Sequence, residues 1–197
     1  MQHMRIPEVI LLNGAASAGK TQLALALLAR LPFVYMGIDD SIWQRVPASW
    51  YPALAEFLGG PHNGGGEHGD KPAKLFRAFH RAVRVCVDEG LGVVVDDCIV
   101  RRDLLDDWVR ALEGIDVFFV GAHCLEEELV FRERARRDRR LGSAVASMKL
   151  VHVHATYDLE IDTTTMPSSA LSAQIIAALE TRSGPSAFER MRSGAKT

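Results

Sequence analysis

Short apolar runs alternate with longer stretches of helical periodicity along most of this chain. Residues 9–13 (VILLN) form a continuous apolar run closed by a glycine-rich turn, the pattern of a strand buried on both faces. Residues 20–31 follow with strong helix formers, and Pro32 closes that helix. Residues 33–38 (FVYMGI) predict a second strand, ending at Asp39-Asp40. Leu75, Phe76, Phe79, Ala82, Val83, Cys86 and Val87 recur at i, i+3, i+4 spacing and predict a helix over 72–89, with Gly90 just beyond its end. Residues 92–95 form a third strand run that meets Asp96-Asp97. A helix over 102–112, a strand over 117–120 and a helix over 125–140 come next. A last strand at 159–161 and a closing helix at 168–181 complete the series. Strands regularly spaced by helices predict an α/β domain with a parallel sheet covered on both faces.

Two stretches break the rhythm. Residues 41–71 hold Trp43, Trp50, Tyr51 and Phe57 and then GGPHNGGGEHGD, which no regular element can contain. This is expected to be an insert of short helices and loop that shapes an acceptor pocket. Residues 183–197 (SGPSAFERMRSGAKT) are expected to be a loosely held tail, which leaves 1–182 as one domain.

Composition narrows the class. A chain of 197 residues with 48% apolar content suits one compact domain with at most a small lid. A formal charge of −2 gives no general attraction to nucleic acid or anionic membrane. No run approaches the ~20 apolar residues of a membrane span, and residues 1–7 do not resemble a signal peptide. Cys86, Cys98 and Cys124 stand apart, as in a reducing cytoplasm. A cytoplasmic location is expected, with no nucleic-acid or membrane partner; a homo-oligomer is compatible with the composition.

The chemistry begins at Gly14-Ala15-Ala16-Ser17-Ala18-Gly19-Lys20-Thr21, which fills every position of G-x-x-x-x-G-K-[ST] between a strand and a helix. Small residues let the backbone wrap a phosphate, and successive amides with the helix N-terminus supply positive potential. Lys20 can reach the β- and γ-phosphates of ATP, and Thr21 can hold Mg²⁺. Asp96 or Asp97 would supply the carboxylate associated with that ion. Adjacent strand residues point to opposite faces, so both remain candidates. Asp39, at the C-terminal tip of the second strand, can take a proton from an attacking hydroxyl, while Asp40 fits a helix N-cap better. Residues 132–140 carry six arginines in nine positions. They predict a lid over about 130–145 that stabilises charge on the transferring phosphoryl group. His152 and His154 are read as structural.

These pieces together resemble the chloramphenicol phosphotransferase family. ILLNGAASAGKT (10–21), GIDDSI (37–42), VVVDD (93–97), FRERARRDR (131–139) and VHVHATYDLEIDTT (151–164) recur in the family's order and approximate spacing. The resemblance implies a three-layer P-loop kinase fold with an arginine-rich lid, and ATP-dependent phosphorylation of an antibiotic hydroxyl. It implies nucleotide binding by residues 14–21, the base role for Asp39, and a place near the phosphates for Arg136 and Arg139. Residues 43–70 depart from the family pattern, and Asp40 adds a second acid beside Asp39. The acceptor could therefore be another hydroxylated antibiotic, of aminocyclitol or nucleoside type. A kinase for a sugar-like metabolite and a nucleotide-binding regulatory module are the competing readings.

Overall fold

The computed structural model describes residues 6–43, 45–50, 71–136 and 141–194. Five parallel strands form one sheet: β1 (Val9–Gly14), β2 (Phe33–Gly37), β3 (Gly92–Asp97), β4 (Val117–His123) and β5 (Leu159–Asp162). Their spatial order is β2-β3-β1-β4-β5, which places β1 at the centre, buried along its whole length. The helices are α1 (Lys20–Leu28), α2 (Lys71–Asp88), α3 (Arg102–Ala111), α4 (Glu126–Ala135), α5 (Ser143–Met148), α6 (Ser168–Thr181) and α7 (Ala187–Arg192).

Alternation along the strands divides the core into two. Val9, Leu11, Val93, Val95, Val117 and Phe119 pack with α2, α3 and α7. Ile10, Leu12, Val94, Phe118 and Val120 face the other way, onto α1 and α6. This is the expected three-layer arrangement, and it needs strands that are apolar on both faces. A third, smaller cluster of Ala15, Ala16, Ala18, Val100, Leu129, Ala144 and Val151 lies beneath the turn after β1.

The structure corrects two expectations. The helix expected over 125–140 stops at Ala135, and Arg136 is already extended at φ −89°, ψ 130°. Arginines four apart, as at 132, 136 and 140, repel one another along a helix face and oppose its continuation. Residues 183–194 are not a loose tail either. Ser186 caps α7 in a reciprocal capping box with Glu189, and Ala187 and Phe188 are fully buried. Phe188 meets Phe119 edge-on at 5.4 Å, and the Ala187 amide donates to Asp158 Oδ1 at 2.6 Å. The S-x-x-E signature of that cap is present in the sequence, but six residues are too few for periodicity to reveal. Phe188→Ala should cost roughly 3–5 kcal/mol, the usual loss for a buried phenylalanine, measurable by urea denaturation. A tail without structural weight would leave the midpoint unchanged.

Candidate active site

The turn between β1 and α1 is held from several sides. Gly14 packs against β4 so closely that a Cβ there would stand 2.5 Å from the Ala122 carbonyl oxygen. Ser17 and Gly19 adopt positive φ, at 64° and 85°, which curls the backbone toward the N-terminus of α1. The buried Ser17 hydroxyl has no hydrogen-bond partner among the described residues. Such a turn with an uncommitted hydroxyl suits an anion. Lys20 is almost fully buried, and its ammonium donates to the Ala15 carbonyl at 2.9 Å. The same nitrogen lies 3.5 Å from Asp96 Oδ1, and Thr21 Oγ1 donates to Asp96 Oδ2 at 2.6 Å.

The structure separates the two aspartates of β3. Asp96 shares the α1 face with Val94 and reaches Lys20 and Thr21. Asp97 turns to the opposite face, where Trp108 Nε1 donates to Oδ2 at 2.7 Å and the Cys98 amide donates to Oδ1 at 2.6 Å. Burial pushes its carboxyl upward, partly offset by the His80 charge and the Trp108 bond. Of the two candidates left open for the metal, strand alternation thus puts Asp96 beside Lys20 and Thr21 and turns Asp97 away from them. A hydroxyl and a carboxylate form a hard-oxygen pair that fits Mg²⁺.

Beside the turn stands Arg132, one helical turn before Arg136. Its Nη2 donates to the Thr163 carbonyl at 2.7 Å and the Thr164 carbonyl at 3.2 Å, and Nε donates to Glu128 at 2.7 Å. A Cβ on Gly19 would lie 3.3 Å from Arg132 Nη1, so this guanidinium abuts the phosphate turn. Sequence reasoning singled out Arg136 instead. That residue is exposed just past the end of α4, and Arg139 lies outside the described residues. Glu133 is buried and points across to the start of α5. Gly142 N and Ala144 N donate to it at 2.7 and 2.8 Å, and Ser143 Oγ donates at 2.7 Å. Burial would raise its pKa, but these bonds prevail and hold the carboxyl below its ordinary value.

Asp39 is half-buried and opens a single π-type turn, Asp39–Trp43, directly beyond β2. Gly37 pairs with Asp96 across the sheet, so this acid leaves the strand beside the one that carries Asp96. Asp40 is exposed and lies inside that same turn rather than ahead of it. Tyr35 was missed by sequence reasoning. Its ring folds over Gly37, where a Cβ would collide with the phenol, and its hydroxyl lies 3.5 Å from Asp96 Oδ2. Most of the expected insert at 41–71 lies outside the described residues. Trp50 packs against the core with Lys71 Nζ 5.2 Å from its ring centroid.

On the other side of the turn, a chain of polar bonds crosses the end of the sheet. Asn13, fully buried, accepts from the Ile99 amide at 2.8 Å and donates to Tyr157 Oη at 2.8 Å. Tyr157 Oη is 2.7 Å from His152 Nδ1, and the His152 ring stacks on His123 at 4.0 Å. Burial first, and then the neighbouring His123 charge, push His152 down to about 4, with Lys20 adding in the same direction against Glu160. Neutral His152 can therefore accept a hydrogen bond from the Tyr157 hydroxyl, which burial keeps protonated. Its folded pKa lies below the unfolded value of about 6.5, so the unfolded chain binds the extra proton between these values. Stability should be fully present above about pH 6.5 and fall as pH drops toward 4. His152→Asn, whose amide oxygen can accept the same bond, should flatten that part of a thermal-midpoint profile. An equally steep profile in the variant would assign the loss to other groups.

Three comparisons bear on this arrangement. Residues 7–180 match the family described as chloramphenicol phosphotransferase-like protein. Two proteins of Mycobacterium tuberculosis, from strains H37Rv and CDC 1551, are each 35% identical over 198 residues. Those matches cover 94% of this chain and 88% of the relative, and both relatives are named, provisionally, as O-phosphotransferases. Among solved structures, a sugar kinase from Janibacter superposes with a TM-score of 0.64 at 17% identity, covering 88% of this chain and 95% of the other. A gluconokinase from Sinorhizobium meliloti gives 0.61 at 17%, covering 98% and 99%. The APS kinase of M. tuberculosis, solved with AMPPNP and APS, gives 0.60 at 16%, covering 88% and 97%. At such identities these structures establish the fold.

Proposed function

The chain belongs to the chloramphenicol phosphotransferase-like family and is an ATP-dependent small-molecule O-phosphotransferase, and we propose that its acceptor is a hydroxylated antibiotic. The observation that carries the reading is the convergence of Lys20, Thr21 and Asp96 at a turn whose Ser17 and Gly19 have positive φ and whose Ser17 hydroxyl is buried without a partner among the described residues. Backbone amides of the 14–21 turn other than Ala16, whose N–H is held by Ser147, bind the phosphates with the α1 N-terminus, and Lys20 neutralises charge between the β- and γ-groups. Thr21 and Asp96 would hold Mg²⁺, which when bound supplies further charge neutralisation at the phosphate oxygens. Asp39 takes the proton of the acceptor hydroxyl as its oxygen approaches phosphorus. Arg136 and Arg139 serve the developing charge, and Arg132 braces the phosphate turn from α4.

Phosphorylation of a drug hydroxyl would inactivate it and confer resistance. The setting proposed is the cytoplasm, where ATP is supplied. No helix of the described residues is long and apolar enough to cross a membrane.

A panel of chloramphenicol, aminocyclitols, nucleoside antibiotics and sugars, scored for acceptor-dependent ADP release, tests the proposal directly. Turnover with an antibiotic at micromolar to millimolar KM supports it. Turnover with sugars alone would replace the antibiotic by a metabolite. Nucleotide binding with no acceptor in the panel would favour a regulatory module.

A further inference from the structure

Helices α4 and α5 are tied to each other and to the turn that holds Lys20. The first anchor is Glu133, whose buried carboxylate receives the first donors of α5 and so clamps that helix to the last turn of α4. The second anchor is Ser147, on the last turn of α5. Its hydroxyl donates to the Ala144 carbonyl at 3.0 Å, which aims the oxygen lone pairs away from the helix. The Ala16 amide donates to that oxygen at 3.0 Å. Ala144, Leu129, Val151, Ala15, Ala16 and Ala18 pack together around the bond.

The peptide between Ala15 and Ala16 is therefore fixed at both of its polar ends. Its carbonyl accepts from Lys20 Nζ at 2.9 Å and from the Ala18 amide at 3.2 Å, while its N–H is held by Ser147. A peptide is planar, so rotating one end rotates the other. Whatever fixes the Ala16 N–H also fixes the carbonyl on which the Lys20 ammonium rests. No other described side chain receives the Ala16 amide.

We propose that Ser147 is a positioning residue for Lys20, acting through the Ala15–Ala16 peptide, and that Glu133 sets Ser147 by clamping α5. Neither residue belongs to the phosphate turn at 14–21. Their effect on nucleotide binding is exerted through Lys20 and is specific to the β- and γ-groups that Lys20 serves. The inference rests on the reading of Lys20 as the nucleotide lysine.

The test needs no knowledge of the acceptor. Binding of ATP and of AMP to the full chain is measured by calorimetry for wild type, Ser147→Ala, Ser147→Thr and Glu133→Gln, with thermal midpoints alongside. Ser147→Ala should weaken ATP about tenfold, the effect of one lost hydrogen bond to a nearly buried amide. AMP, which lacks the β- and γ-phosphates, should bind nearly as before. Ser147→Thr keeps the hydroxyl and should recover most of the ATP affinity. Glu133→Gln should shift the ATP-to-AMP ratio in the same direction, because an amide cannot accept all three donors. An unchanged ratio in Ser147→Ala would overturn the proposal. So would an equal loss for both nucleotides, which marks general damage to the site, or a failure of Ser147→Thr to recover. A wild-type chain that bound no ATP would sink the functional reading, and this inference with it.

Discussion

Lys20→Ala should abolish phosphotransfer, lowering turnover by at least about 10²–10³-fold, the loss seen when a preorganised charge partner is removed. The lysine is nearly buried, and its ammonium has no substitute within the phosphate turn. Folding should survive, because Lys20 belongs to neither apolar core. Removal leaves Asp96 with Thr21 still donating to it, so the stability cost should stay within about 1–3 kcal/mol. Acceptor-dependent ADP release and a urea melt on the same preparation decide the matter. A folded Lys20→Ala protein with near wild-type turnover would overturn the assignment of the phosphate turn.

The second large effect is expected at Asp39. An alcohol is a poor nucleophile at neutral pH, and a positioned base typically contributes about 10²–10⁴-fold. Asp39→Asn keeps the size and much of the hydrogen bonding of the side chain but cannot take a proton. Turnover should fall by that factor while ATP affinity and the acceptor KM change much less. Asp40→Asn is the companion measurement, because Asp40 is the more exposed acid and sits beside Tyr35 at the same strand end. An inactive Asp40→Asn with an active Asp39→Asn would move the base by one residue. Full activity in both would mean that the loose transition state of phosphoryl transfer needs no strong base here.

The sheet and its two covering layers were legible because most of its strands are short apolar runs and the helices α2 and α3 bury one face at i, i+3, i+4 spacing. Residues 9–13 and 92–95 could be read as buried strands from composition alone, and both sit at the middle of the sheet. The phosphate turn was legible because its glycine and lysine spacing is itself the structure. Information that depends on direction was not. The sequence puts Asp96 and Asp97 side by side, and only the register of β3 assigns one to Lys20 and the other to Trp108. Arg132 was hidden among six arginines, because its partners at Thr163 and Thr164 come from a distant loop. Helix α5 escaped notice since SAVASM is too short to show a period, although Gly142 before it has the positive φ, 92°, of a chain reversal. Tyr35 reads as an ordinary strand residue until its ring is seen lying across Gly37.

The position of β2 bears on how such an enzyme could change its substrate over evolutionary time. Among the described strands β2 lies at the margin of the sheet and pairs only with β3, whereas the phosphate turn rises from the central strand. The chain leaving β2 carries Asp39 and then runs through some thirty residues before α2 begins at Lys71. Length and sequence there can drift without disturbing the pairing of β3, β1 and β4 on which the nucleotide half depends. Acceptor choice and nucleotide chemistry are in this sense separately inheritable. Asp39 and Asp40 stand at the seam between a part that must stay fixed and a part free to diversify.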